Sequence, residues 1–425
     1  MRSSMWACNQ FQMTRKPLPQ EPGLSGYGLF VWVDELKEAD QGDIVELGMK
    51  LCGFFGRHGS NQRKAEEMNT NVRLFSYSML KSATESFHPS KKLGVGGFGV
   101  VYKGTLKDGT YVAVKTLSAE SSQATREFLT EIDTITNVRH PNLVQLIGCC
   151  LEGSNRMLVY EYLENNSLAC ALFGSKSKRI PLDWPKRAAI AIGTARGLAF
   201  LHEEAKPQII HRDIKAGNIL LDAQLNPKIG DFGLAKLFPD NVTHISTRVA
   251  GTMGYLAPEY SLLGQLTKKA DIYSFGVLLL EIVSGRSSGT SAWGEELMPL
   301  VDWTWKLRDE GRLLDIVDPD LAEYPENEVL RFIKVAMFCT QAASNTRPSM
   351  KQVVKMLSKD VALPEMELTK PGFQKSNITQ QYSGSGSSQE GSSQQTQKEN
   401  RSKNPFVTST QLTTPHVTLV NPEPR

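Results

Sequence analysis

The segment Lys268–Ser284 limits the possible folds of this chain more than any other. From Tyr273 to Val283 it is apolar on nearly every side, with Glu281 the exception. A helix that is hydrophobic all round cannot lie on a surface and needs a large core around it. The chain has the material for such a core: 425 residues, 40% hydrophobic and 22% charged. Its length allows about three domains, or one large two-lobed unit with tails. No segment reaches the ~20 apolar residues of a membrane span, and the run from Gly23 to Val33 ends at Asp34.

Forty-eight Lys and Arg against 45 Asp and Glu leave a net charge of +3, which excludes nucleic-acid binding driven by bulk charge. Cys8, Cys52, Cys149, Cys150, Cys170 and Cys339 show neither a C-x-x-C pair nor zinc spacing. Free thiols in a reducing compartment are the simpler reading, so a soluble cytoplasmic protein is expected.

The pattern changes along the chain. Residues 1–74 read as a largely disordered extension. Phe75, Leu80, Ala83 and Phe87 fit a short helix leading into strands. Leu93–Tyr102 and Tyr111–Leu117 are rich in valine and aromatics, with the hairpin signal Asp108-Gly109 between them. Arg126–Asn137 reads as a helix with Phe128, Ile132 and Ile135 on one face, and Leu143–Ile147 and Arg156–Tyr162 as strands. Trp184–Glu204, Lys268–Ser284 and Glu328–Ala342 are helical. The expectation is an α+β, two-lobed fold over residues 75–360. Its strand-rich lobe of about 87–163 carries one helix, and its helical lobe covers about 164–358. Beyond residue 360 the pattern fails. From 371 to 425 there are 9 Ser, 7 Thr and 8 Gln, and such a tail cannot offset its ordering entropy by burial.

Five motifs carry chemistry. In Gly94-Val95-Gly96-Gly97-Phe98-Gly99, glycines let a turn lie close over phosphates with backbone N–H groups facing them. A dinucleotide-binding reading wants a helix directly afterwards, but Val100–Lys103 continues as strand; a Walker A reading lacks its G-K-[ST]. Strand alternation in Val112-Ala113-Val114-Lys115 turns Ala113 and Lys115 to one face, a small residue and a cation suited to a base and its phosphates. His211-Arg212-Asp213-Ile214-Lys215-Ala216-Gly217-Asn218, Asp231-Phe232-Gly233 and Ala257-Pro258-Glu259 follow in that order.

Together these motifs resemble the eukaryotic protein kinases over about residues 87–358. The resemblance implies ATP with magnesium or manganese as cofactors, and protein substrates. It implies Asp213 as the catalytic base, Lys215 beside the γ-phosphate, and Asn218 and Asp231 as metal ligands. Leu93, Gly94, Gly96, Gly97, Gly99, Val101, Ala113 and Leu220 would enclose the nucleotide. Glu161 to Leu163 would form the hinge, with Tyr160 as gatekeeper. Lys115 would hold the α/β-phosphates and pair with a helix glutamate. Glu131 lies nearer the apolar helix face and stands where the family places that residue, leaving Glu127 as a solvated surface charge. Asp271 would steady the catalytic loop, and Arg347 would pair with Glu259.

Lys215 and Thr252 are typical of serine/threonine kinases. Phe75-Ser76-Tyr77, Leu143–Cys150 and Leu158–Tyr162 look like the plant receptor-like group, here without an ectodomain; the first 48 residues match nothing in it. The alternative from another class is a pseudokinase scaffold, against which Lys115, Asp213, Asn218 and Asp231 all stand. Arg212 beside the base is the family mark of activation by loop phosphorylation, with Ser246 or Thr247 as the expected site, Arg248 and Lys236 adding positive charge, and Thr252 as a structural hydroxyl. An upstream membrane receptor kinase is the implied partner. Cys52, with Arg63 and Lys64 nearby, is a candidate acylation site that would hold the chain at the inner face of the plasma membrane.

Overall fold

The computed structural model describes residues 72–96, 99–117, 122–136, 138–175, 179–239, 241–288, 292–293, 296–358 and 368. Gly97, Cys52, the extension before residue 72 and the Ser/Thr/Gln-rich tail lie outside them.

The first lobe is a six-stranded sheet in the order β1-β5-β6-β4-β3-β2. Its strands are β1 (Arg73–Leu74), β2 (Lys92–Gly96), β3 (Gly99–Thr105), β4 (Tyr111–Leu117), β5 (Leu146–Glu152) and β6 (Asn155–Glu161). β1 runs parallel to β5, and every other pairing is antiparallel. The expected strand Leu93–Tyr102 is two strands, because the glycine run turns the chain back between Gly96 and Gly99. At Asp108-Gly109, Gly109 takes φ +86°, and the Thr110 amide donates to Asp108 Oδ1 at 2.9 Å.

Alternation along β4 gives the sheet two cores. Val112 and Val114 are fully buried on the outer face with Phe75, Leu80, Cys150, Met157 and Val159. The opposite face packs against α2 (Ser122–Ile135) through Ala124, Phe128, Ile132 and Ile135. This helix starts four residues before the expected Arg126, because its apolar stripe extends back to buried Ala124. The strand expected at Leu143–Ile147 is displaced. Leu143 and Val144 instead cross to the second lobe, where Val144 N donates to Ile229 O at 2.9 Å, and regular pairing begins at Leu146.

A short helix, α1 (Tyr77–Ala83), precedes β2 and is capped by Ser76, whose Oγ accepts from the Met79 amide at 3.2 Å. The second lobe is built on α4 (Trp184–Glu203) and α6 (Lys268–Ser284), with α3 (Leu168–Phe173) and α5 (Pro258–Leu263) before and between them. Every residue of α6 from Ala270 to Ser284 is buried. Thr267 caps its start, and Gly285 ends it at φ +63°, a left-handed position that suits glycine. Against it pack α7 (Leu300–Asp309) and α8 (Glu326–Cys339), while α9 (Met350–Ser358) packs on α4 and α8. α8 stops three residues before the expected Ala342, where Thr340 caps it by donating its amide to Ala336 O. No helix among the described residues is long and apolar enough to cross a membrane.

Candidate active site

Between the lobes, four short strands carry polar loops: β7 (Gln208–Ile210), β8 (Ile219–Leu221), β9 (Pro227–Ile229) and β10 (Lys236–Phe238). The loop after β7 holds Arg212 at φ +69°, and the loop after β9 holds Asp231 at φ +64°. A side chain larger than glycine in the left-handed region costs on the order of 1–3 kcal/mol and persists only where neighbours over-determine it. For Arg212 the neighbour is Asp271, fully buried in the first turn of α6. Its carboxylate accepts the His211 amide at 2.7 Å, the Arg212 amide at 2.8 Å, and His202 Nε2 at 2.9 Å. Burial works to raise the Asp271 carboxyl, and the hydrogen bond and charge of His202 outweigh it, so the pKa is lowered. His202 carries no sequence signal of its own; only the turn geometry of α4 brings it to Asp271.

The loop so held presents Asp213, 8% exposed. Oδ1 accepts the Thr252 hydroxyl at 2.6 Å, and Oδ2 accepts from Asn218 Nδ2 at 2.9 Å and lies 2.7 Å from Lys215 Nζ. Lys215 also donates to Thr252 Oγ1 at 2.8 Å. His211 stands behind this cluster, its Nε2 on Gly230 O at 3.1 Å and its ring edge-on to Phe232.

Across the cleft, Lys115 Nζ lies 2.9 Å from Glu131 Oε2 and 2.7 Å from Asp231 Oδ1. Burial works to lower the lysine, and the two carboxylates more than reverse that, so its pKa is raised. The Phe232 amide donates to Glu131 Oε1 at 3.3 Å, tying α2 to the Asp231 loop. Glu127 is not the solvated surface charge expected of it. It is 4% exposed, accepts from Gln123 Nε2 at 3.3 Å, and burial raises its carboxyl to about 8. One turn before Glu131, it shares the inward face of α2, which a reading centred on Phe128, Ile132 and Ile135 drew too narrowly.

Leu93, Val101, Ala113 and Leu220 are half-buried, and Leu163 is buried. Ala113 pairs with Tyr160 across β4 and β6. Tyr160 is buried, and among the described residues its hydroxyl has no hydrogen-bond partner; burial and then the nearby Glu131 carboxylate raise its pKa. At Gly99 a Cβ would run into the Thr116 carbonyl, so only glycine fits there. Gly94 has open space around its Cα. Glu161 does more than end β6: its Oε1 accepts the Gln145 amide at 2.8 Å and lies 3.0 Å from Lys228 Nζ on β9.

This set offers an ammonium on Lys115, hard side-chain oxygens on Asn218 and Asp231, and a carboxylate aligned with a hydroxyl. Residues 87–357 match the family model for protein tyrosine and serine/threonine kinases. The chain belongs to the protein kinase family.

The kinase domain is of the plant receptor-like serine/threonine type. It is 50% identical over 331 residues to Cold-responsive protein kinase 1 of Arabidopsis thaliana, covering 76% of this chain and 84% of that protein. A probable leucine-rich repeat receptor-like serine/threonine-protein kinase of the same plant is 54% identical over 346 residues, 80% of this chain and 34% of the relative. A second such receptor-like kinase is 51% identical over 318 residues, 74% of this chain and 31% of the relative. The chain thus spans about a third of the length of these two receptor-like relatives. Kinases of this family use ATP and a divalent metal and act on proteins. Asn218 and Asp231 fit magnesium, which is usually bound by one or two carboxylates together with substrate phosphates. Among the described residues no group of three or more His, Cys, Asp or Glu is placed to hold a metal alone.

One further ion pair and one buried, hydrogen-bonded carboxyl brace the kinase domain. Arg347, 1% exposed, meets Glu259 through Nη1–Oε1 at 2.7 Å and Nη2–Oε2 at 2.8 Å. Its carbonyl accepts from Lys269 Nζ. Glu281, fully buried in α6, accepts the Tyr255 hydroxyl at 2.7 Å on each oxygen and the Ser288 amide at 2.7 Å. Burial raises the Glu281 carboxyl from 4.5 to about 7, against these hydrogen bonds. The folded chain therefore keeps a proton that the unfolded chain has already lost between those two values. Stability from this group is complete below the lower value and lost as pH rises through the upper. Between pH 5 and 8 the wild type is expected to lose up to roughly 3 kcal/mol relative to Glu281→Gln. Parallel urea melts across that range check it, and a constant difference counts against it.

Proposed function

We propose that this kinase transfers the γ-phosphoryl group of ATP, with magnesium or manganese, to Ser and Thr hydroxyls of protein substrates in signalling. The observation that carries the reading is the Asp213 carboxylate, held by Lys215 and Asn218 with a hydroxyl already pointed at it. Thr252 Oγ1 gives its proton to Asp213 and accepts from Lys215, the relation an attacking substrate hydroxyl needs. Asp213 acts as base, Lys215 steadies charge growing on the transferred group, and Lys115 anchors the phosphates with Glu131 behind it. Magnesium-bound ATP supplies the phosphoryl group and the neutralising charge when present; Asn218 and Asp231 would hold the metal. Glu161 to Leu163 would meet the adenine edge, with Tyr160 closing the back. Nothing favours the scaffold alternative. The test is transfer of labelled γ-phosphate to a generic protein substrate with phosphoamino-acid analysis. Label on Ser and Thr, lost in Lys115→Met, supports the reading; phosphotyrosine alone, or none, refutes it.

Activation belongs to the same reading. Arg212 Nε and Nη2 donate to the Tyr260 hydroxyl at 3.1 and 2.6 Å, Nη1 to Leu234 O at 3.1 Å, and Nη2 to Arg248 O at 2.9 Å. Among the described residues its charge thus meets neutral acceptors only. Thr247 precedes Arg248, and exposed Ser246 precedes Thr247. A phosphate of about −1.5 to −2 at either residue would give Arg212 an ionic partner and order the loop. The paired substitution Ser246→Ala, Thr247→Ala is expected to lower activity at least about tenfold, as phosphatase treatment of the wild type should. Full activity after both would remove the loop as the switch. An upstream membrane receptor kinase supplies that phosphate in this reading. Acylation at Cys52 would hold the chain at the inner face of the plasma membrane, and unchanged membrane fractionation of Cys52→Ser would count against it.

A further inference from the structure

The family match begins at residue 87, but the described residues begin at Val72. Residues 72–87 lie along the outer face and edge of the first-lobe sheet. Arg73 and Leu74 pair with Gly148 and Cys149, and the Phe75 amide continues the ladder to Cys149 O at 2.9 Å. Phe75 is 3% exposed, Leu80 and Thr84 not at all. The sheet is shaped to receive this strap. A Cβ at Gly148 would collide with the Arg73 carbonyl and come within 2.6 Å of the Phe75 ring. At the strap's exit the Phe87 amide donates to Thr84 Oγ1 at 3.1 Å. Glu85, Ser86 and Phe87 are all left-handed, and the Phe87 ring lies 5.5 Å from that of Tyr102 on β3.

The strap's apolar residues share the outer core with β4, β5 and β6. Val112 and Val114 share the outer core with Phe75 and Leu80, and they flank Ala113 and Lys115 on β4. Close-packed interiors transmit displacement, so the outer core fixes how deep β4 lies and hence where the Lys115 ammonium reaches. The geometry points to residues 72–87 as a built-in strap that sets the position of Lys115, with Phe75 and Leu80 as positioning residues for ATP binding. This rests on the reading of Lys115 as phosphate anchor.

The test uses the full chain and a fluorescent ATP analogue with magnesium. Phe75→Ala, Leu80→Ala and Gly148→Ala are each expected to raise the analogue Kd and the KM for ATP about tenfold, with kcat per folded molecule within about twofold. Leu80→Met should restore the wild-type values. A Val329→Ala control on α8 should lower Tm without moving either constant. Gly148→Ala leaves the strap's own sequence intact and decides the matter if Leu80→Ala does not fold. In the wild type, analogue binding should slow hydrogen exchange of the Phe75 and Leu80 amides. Unchanged Kd in folded Phe75→Ala and Gly148→Ala, or unchanged exchange in the wild type, overturns the inference. Because Kd and exchange need no turnover, a chain that binds the analogue without transferring phosphate would refute the phosphotransfer reading and still decide this one.

Discussion

In Asp213→Asn, kcat for phosphotransfer is expected to fall about 10²- to 10⁴-fold, the usual contribution of a positioned general base. The change removes one charge and almost no volume. Three groups direct hydrogens at this carboxylate: Thr252 Oγ1, Asn218 Nδ2 and Lys215 Nζ. An amide retains one acceptor oxygen and turns an N–H₂ toward a donor, so one of the three contacts is lost. A mispaired polar group of this kind costs about 1–3 kcal/mol, which lowers Tm by several degrees without unfolding the domain. Nucleotide binding through Lys115 should be unchanged, which separates loss of the base from loss of the fold. Initial rates, nucleotide Kd and thermal melts on one preparation check all three, and activity within about tenfold of wild type would remove Asp213 from the role of base.

The second large effect is on stability. Arg347→Ala should cost about 3–5 kcal/mol, the range for breaking a buried ion pair from one side. The guanidinium donates to both Glu259 oxygens, to Gln341 O at 2.8 Å, to Lys269 O at 2.9 Å and to Ala342 O at 3.3 Å, and its cation sits 5.0 Å from the Tyr273 ring centroid. Truncation leaves an unpaired carboxylate and three carbonyls without their donor. At roughly 2–4 °C per kcal/mol for a domain of this size, Tm should drop by about 10 °C. Because Glu259 opens α5, directly after the segment carrying Thr252 and Tyr255, activity should fall before global unfolding. Arg347→Lys is expected to recover little, since an ammonium cannot reproduce the paired contact. A Tm within about 2 °C of wild type would show that the pair contributes little.

Much of this domain is legible in its sequence, for identifiable reasons. Helix α6 declares itself because the run from Tyr273 to Val283, with almost no polar face, has few alternatives. Strand β4 shows through strict alternation, and the hairpin before it through Asp108-Gly109. Lys115, Asp213, Asn218 and Asp231 stand out because motif order fixes them together, and Glu131 because it lies near the apolar face of its helix at the position the family resemblance implies. What escaped is what depends on long-range geometry. Glu127 reads as surface until the width of the inward face of α2 is known. Leu143 and Val144 have strand composition, yet their backbone partner is Ile229 in the other lobe. His202, Tyr255, Tyr260, Lys228 and Glu281 carry no motif, and only the tertiary fold pairs them with Asp271, Glu281, Arg212, Glu161 and Ser288.

The contacts of Arg212 bear on how long a signal from this kinase would last. With Tyr260, Leu234 and Arg248 already accepting its hydrogens, the guanidinium has a satisfied resting place. Under the proposed activation, a phosphate on the neighbouring loop would have to draw it from that place. Removal of the phosphate would, on the same proposal, return the arginine to the same neutral acceptors and leave no buried charge stranded. The duration of the active state would then be set by the phosphatase that clears the loop, and the kinase itself would keep no memory of having been switched on.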